Sequence, residues 1–166
     1  MFSPFSPLFI TWKERVLHAE EPILRGCIGT LHPTSLSNLS HYVTQSALHD
    51  TRFPPIQMND LPSLQCTVSF LVEYEVASHV SDWIIGTHGI LIEFQHEHRK
   101  YSATYLPEVA YEQEWNQDEA IRSLIVKAGF RKVVTVELLN EMKVTRYQSS
   151  KQTVTYAEYQ QYTRMM

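Results

Sequence analysis

The chain has 166 residues, 43% of them hydrophobic, a length and apolar share that suit one domain with a sizeable core. Its 14 basic and 18 acidic side chains leave a formal charge of -4, and its longest basic clusters are Arg99-Lys100 and Arg131-Lys132, so nucleic acid is not an expected partner. Cys27 and Cys66 stand far apart without CxxC spacing, and no run approaches the roughly 18 apolar residues of a membrane span. That pattern excludes a disulfide framework, a zinc ribbon and a bilayer anchor, and implies a reducing, intracellular location in cytoplasm and/or nucleus.

Residues 1–12 are apolar but interrupted by Pro4 and Pro7, and they lack the basic n-region of a signal peptide; they read as the approach to a strand. Residues 9–12 and 23–31 are short apolar or alternating runs around a charged connection, which predicts a hairpin. From Thr34 the period changes, and Leu36, Leu39, Val43 and Ala47 predict an amphipathic helix capped by Thr34 or Ser35 and ending near Asp50, ahead of Pro54-Pro55. A loop runs to Leu64. Residues 66–74 alternate Val68, Phe70 and Val72 against Thr67, Ser69, Leu71 and Glu73, which predicts a strand, and residues 90–94 and 101–105 predict another pair joined by a polar tip. Pro107 opens a short helix. Asn116 and Glu119 form a capping-box pattern before Ile121, Leu124, Ile125 and Ala128, with Gly129 as the stop. Residues 142–147 read as the last strand, and Thr155 with Glu158 opens a C-terminal helix. Connections too short for parallel crossovers predict an α+β class: a largely antiparallel twisted sheet with packed helices, open to division into two subdomains.

Leu24-Arg25-Gly26-Cys27-Ile28-Gly29-Thr30 is the segment richest in chemistry. In an extended strand, Arg25, Cys27 and Gly29 share one face and Leu24, Gly26, Ile28 and Thr30 the other. A guanidinium beside a thiol favours the nucleophilic thiolate, and glycines at 26 and 29 leave room for a ligand or another backbone. The competing reading makes Cys27 a small buried hydrophobe and Arg25 half of a structural ion pair.

The same segment resembles the signature of the AMMECR domain family, named for a human contiguous-gene syndrome region. Further matching motifs are Pro7-Leu8-Phe9-Ile10-Thr11-Trp12, then Ser46-Ala47-Leu48 with Asp50 and Arg52-Phe53-Pro54-Pro55. Gly86, His88-Gly89-Ile90 with Glu93-Phe94, Ala103-Thr104-Tyr105-Leu106-Pro107-Glu108-Val109-Ala110 and Thr145-Arg146-Tyr147 complete the set. The resemblance covers nearly the whole chain, so 1–166 is expected to be one such domain. It implies an α+β fold but no established activity. In many prokaryotes family members sit alongside a Memo-like protein and a radical-SAM protein, which implies a shared small-molecule or modification pathway and makes such proteins candidate partners. Family members usually carry a helix ahead of the Pro-Leu-Phe segment; six residues precede Pro7 here, so that helix is expected to be missing.

His88, in a turn before a strand, is the candidate base for Cys27, although a turn histidine more often bonds its own loop. Asp50 and Arg52 either hold an anionic or amide-bearing ligand or pair with each other. Glu108 suits a helix start, and with Thr104 it is a candidate wall of the same site. His96 and His98 alternate on one strand face but lack a third ligand, and no motif implies a cofactor or metal. The leading expectation is a small-molecule cleft built from Arg25, Gly26, Cys27, Ile28 and Gly29, the loop of residues 50–55 with Asp50 and Arg52, and the His88 turn. In its catalytic version Cys27 is nucleophile, His88 base, Arg25 the anion stabiliser, and the N–H groups near Ile28 and Gly29 are oxyanion donors. The alternative is a protein-interaction module displaying Trp83, Trp115, Tyr156, Tyr159 and Tyr162.

Overall fold

A computed structural model of the protein describes residues 5–165, so the first part of the apolar approach and the expected missing helix lie outside the described residues. The chain runs β1 (Phe5–Glu14), β2 (Ile23–Ser35), α1 (Leu39–Leu48), β3 (Leu64–Val76), β4 (Gly89–His96), β5 (Arg99–Tyr105), α2 (Pro107–Glu112), α3 (Gln117–Lys127), α4 (Val136–Glu141), β6 (Lys143–Thr155) and α5 (Tyr156–Arg164). Short 3-10 turns occupy Leu36–Asn38 and Met58–Ser63. The strand order is β2-β1-β3-β6-β4-β5. β1 pairs antiparallel with β2 and β3, and β4 with β5 and β6, which is the expected α+β architecture. The chain divides into two compact units, Met1–Leu71 with Ser150–Met166, and Val72–Ser149.

In the first unit, alternation places Leu8 and Ile10 of β1 fully in the interior. β2 continues through Pro33 to Ser35, further than its apolar run suggested, because an edge strand tolerates a residue without an N–H. The predicted helix begins late for the same reason. Ser35 caps the 3-10 turn, accepting from Ser37 N–H, and Leu36 is left 44% exposed outside the apolar stripe. Ser46 is instead the buried residue of α1, its hydroxyl donating to the Val43 carbonyl at 3.0 Å. In β3 the better-buried face is that of Ser69 and Leu71. α5 has the predicted capping box, with Thr155 Oγ1 accepting from Glu158 N–H and the Glu158 carboxylate accepting from Thr155 N–H.

The second unit is organised around α3, whose Ile121, Leu124 and Ile125 pack with Ile90 and Ile92 of β4 and with Phe130. Both halves of the Asn116/Glu119 capping box form. Gly129 takes φ +91°, and Phe130 N–H reaches back to the Ile125 carbonyl at 3.2 Å, closing the helix in a Schellman arrangement. β4 and β5 join through Glu97-His98, both at positive φ, the geometry of a two-residue hairpin. α4 has no counterpart among the expected elements: its six residues bury only Leu138, too little for a readable period. Trp83, expected on the surface, is a core residue at 3% exposure, and Trp115 packs partly buried against Tyr105. An indole has enough apolar area that this unit's core claims both.

Candidate functional site

β2 is the last strand of the order, so the backbone groups on its outer side have no neighbouring strand. At Cys27 two side chains take that neighbour's place. Asp50, just beyond α1, accepts the Cys27 N–H at 2.8 Å, while Arg52 Nη2 donates to the Cys27 carbonyl at 3.0 Å. The two are locked to each other, Arg52 Nε and Nη2 donating to the two carboxylate oxygens at 2.9 and 2.7 Å. The Arg52 hydrogen bonds, with the Cys27 N–H, hold the Asp50 carboxyl well below the ordinary carboxylate range against the opposing effect of burial. Asp50 and Arg52 are thus a pair, as one of the two expectations held, and their shared work is to satisfy an edge.

The Cys27 thiol is half-buried, and its Sγ lies 3.2 Å from Thr11 Oγ1, its cross-strand partner. Arg25 does not follow the alternation expected of it. The register passes from Trp12↔Gly26 to Lys13↔Leu24, so Arg25 is the extra residue of a bulge, and alternation is reset there. Its guanidinium reaches Glu14 at 3.1 Å, Asp60 at 3.4 Å and the Pro54 carbonyl at 3.2 Å. The glycines are also accounted for by packing. A Cβ on Gly26 would overlap the Ser46 carbonyl of α1, and one on Gly29 would overlap the Leu8 carbonyl and Phe9. The space expected for a ligand at those two positions is taken up by protein, with Ile28 beside them opposite Ile10 of β1.

The remaining candidates belong to the second unit. His88 Nδ1 accepts the Ile84 N–H at 2.9 Å, the turn-fixing role that was the alternative to a base. Thr104 donates to the Ile90 carbonyl and lies 2.8 Å from the Tyr147 hydroxyl. Glu108 sits half-buried in the first turn of α2. His96 turns edge-on to Phe130, and among the described residues no group of three or more His, Cys, Asp or Glu side chains is arranged to hold a metal.

The first unit carries a cavity that the sequence did not point to. About 400 Å³ in volume, it is lined by Trp12, Leu61, Leu64, Cys66, Tyr156 and Tyr159, together with Val154 and Thr155. Leu64 and Cys66 reach it as neighbours two apart on β3, while Tyr156 and Tyr159 stand three apart on α5. Those spacings were legible; what joined them was not, because it depends on where α5 folds back. Burial pushes the Cys66 thiol up to about 11, so it is an uncharged lining atom at neutral pH. A second concavity, of about 650 Å³, shares Leu64 and Thr155 with the first and is bordered by the turn after β1, including Arg15 and His18.

The motifs on β2 and its latch are set within a chain of which residues 2–152 match the AMMECR1 family. The chain belongs to the AMMECR1 family. An uncharacterised Arabidopsis thaliana protein is 50% identical over 161 residues, spanning 95% of this chain and 75% of that one. An uncharacterised Schizosaccharomyces pombe protein is 40% identical over 154 residues, spanning 92% and 77%. The crystal structure of an uncharacterised Pyrococcus horikoshii protein has the same fold, with a TM-score of 0.68 at 24% identity, covering 90% of this chain and 74% of the other. Among the described residues of this AMMECR1 domain, no helix is long and apolar enough to cross a membrane.

Proposed function

We propose that this AMMECR1 domain binds a small, mostly apolar molecule in the cavity between Trp12, Leu61, Leu64, Cys66, Tyr156 and Tyr159. The observation that carries this reading is the cavity itself: about 400 Å³, within the size range of small-molecule sites, with aromatic and aliphatic walls and few polar groups. The site expected around Cys27 has its glycine space filled and its strand edge occupied, so binding is moved to a neighbouring region of the same unit. The alternative of an interaction surface draws on the same helix, since Tyr159 and Tyr162 are 55% and 63% exposed and Tyr159 also lines the cavity. A screen of apolar aromatic and aliphatic compounds by thermal shift tests the reading, with Cys66 as the reporter. Compounds that raise Tm are expected to slow alkylation of Cys66 measured at pH 9 by peptide mapping, which separates it from Cys27; stabilising compounds that leave Cys66 labelling unchanged would place binding elsewhere.

A second reading keeps Cys27 as a reactive thiol, supported by the Thr11 hydroxyl at 3.2 Å and the Arg52 guanidinium on the Cys27 carbonyl. Arg52, rather than Arg25, is the cation this reading invokes. Its test is the pH profile of Cys27 alkylation in the native protein and in Arg52→Gln: labelling well below pH 8 that is lost in the variant supports it, and labelling only on unfolding sinks it.

A further inference from the structure

The cavity of the proposed function adjoins a second one, since Leu64 and Thr155 line both. The two differ in character. The first is walled by Trp12, Leu61, Cys66 and the two α5 tyrosines, whereas the second is open to solvent-exposed Arg15 and His18. The main chain at Arg15 is fixed, its N–H donating to the Ser63 carbonyl at 2.9 Å, so the turn that carries it is held against the 3-10 segment bordering both cavities. Nearby acids are already engaged: Glu14 and Asp60 pair with Arg25 at 3.1 and 3.4 Å, and the Glu158 carboxylate accepts the Thr155 N–H at 2.7 Å. The Arg15 guanidinium makes no ion pair among the described residues.

We propose that the occupant is an amphiphile with one anionic head, carboxylate or phosphate: its apolar body fills the first cavity and its head lies in the second against Arg15. This rests on the cavity reading given above and adds the class of ligand. The division of labour follows from solvation. A charge taken into the aromatic cavity would lose its hydration without a partner, while one left at the wet second cavity keeps water and gains a planar donor fork. A volume of about 400 Å³ lies toward the lower end of small-molecule sites, which sets the probes at medium chain length.

Calorimetric titration of the full chain with decanoate, decyl phosphate and decanol tests the proposal, in the native protein and in Arg15→Gln, a change at an exposed position that leaves the fold intact. At least one anionic probe is expected to bind about tenfold more tightly than decanol, the advantage of one charge-assisted contact, and to lose that advantage in the variant while decanol binds unchanged. Decanoate and decyl phosphate compared with each other identify the head. Equal binding of all three probes would overturn the head-group assignment while leaving the cavity reading in place. An anionic advantage that survives Arg15→Gln would overturn the role of Arg15, and failure of all three to bind would overturn both readings.

Discussion

Gly26→Ala is expected to cost the first unit about 2–3 kcal/mol, measured as a fall in the urea midpoint, because the new methyl meets the Ser46 carbonyl, a helix backbone atom that moves only if α1 moves. A reactive-site reading of this glycine would instead predict altered labelling of Cys27 at unchanged stability. Asp50 supplies the second test at this scale. Its carboxyl is held below the ordinary range in the folded chain by Arg52, so its stabilisation is complete above the unfolded value near 3.9 and is lost as the pH falls further. Asp50→Asn keeps the shape and removes the titration. Urea midpoints taken from pH 7 down to pH 3 should therefore fall less steeply in the variant, starting from a lower value at neutral pH.

At the scale of elements, α5 connects stability to binding. It buries no residue, and its start depends on the reciprocal Thr155/Glu158 cap. Thr155→Ala should cost about 1 kcal/mol and fray the first turn, the turn that carries Tyr156 and Tyr159 into the cavity. Hydrogen exchange localised to α5, with weaker ligand binding and little change in the second unit, is the expected outcome. This helix was legible because a capping box is a local code, and so were α3, with Asn116, Glu119 and Gly129, and the β4–β5 pair, with its alternation. Where the chain departed from expectation, the cause was non-local. The Arg25 bulge arises from pairing with β1, and α1 buries Ser46 rather than a larger apolar side chain at its approach to Gly26. α4 was invisible because six residues hold less than two turns of period. The candidate site divided in the same way: Asp50 and Arg52 were found by motif and Cys27 by chemistry, but the edge they share and the cavity beside α5 are products of folding.

For the molecule as a whole, burial of weak acids sets an alkaline limit. Cys66 in the first unit is pushed up to about 11, and the phenol of Tyr147, fully buried in the second, is raised as well, both chiefly by desolvation. A raised folded value means a contribution that is complete below the unfolded value and declines as the pH rises through the folded one. Stability should therefore hold to about pH 9 and fall from there toward pH 11, and Cys66→Ala should flatten the first part of that decline in denaturant titrations at stepped pH. The Asp50–Arg52 latch matters beyond a single chain. Uncovered strand margins are where separate molecules adhere to one another, and β2 is a long one. By occupying the amide and carbonyl of Cys27 with side chains of its own, the protein denies them to a second copy. The latch thereby favours a lone particle at high concentration over the first rung of a stacked assembly.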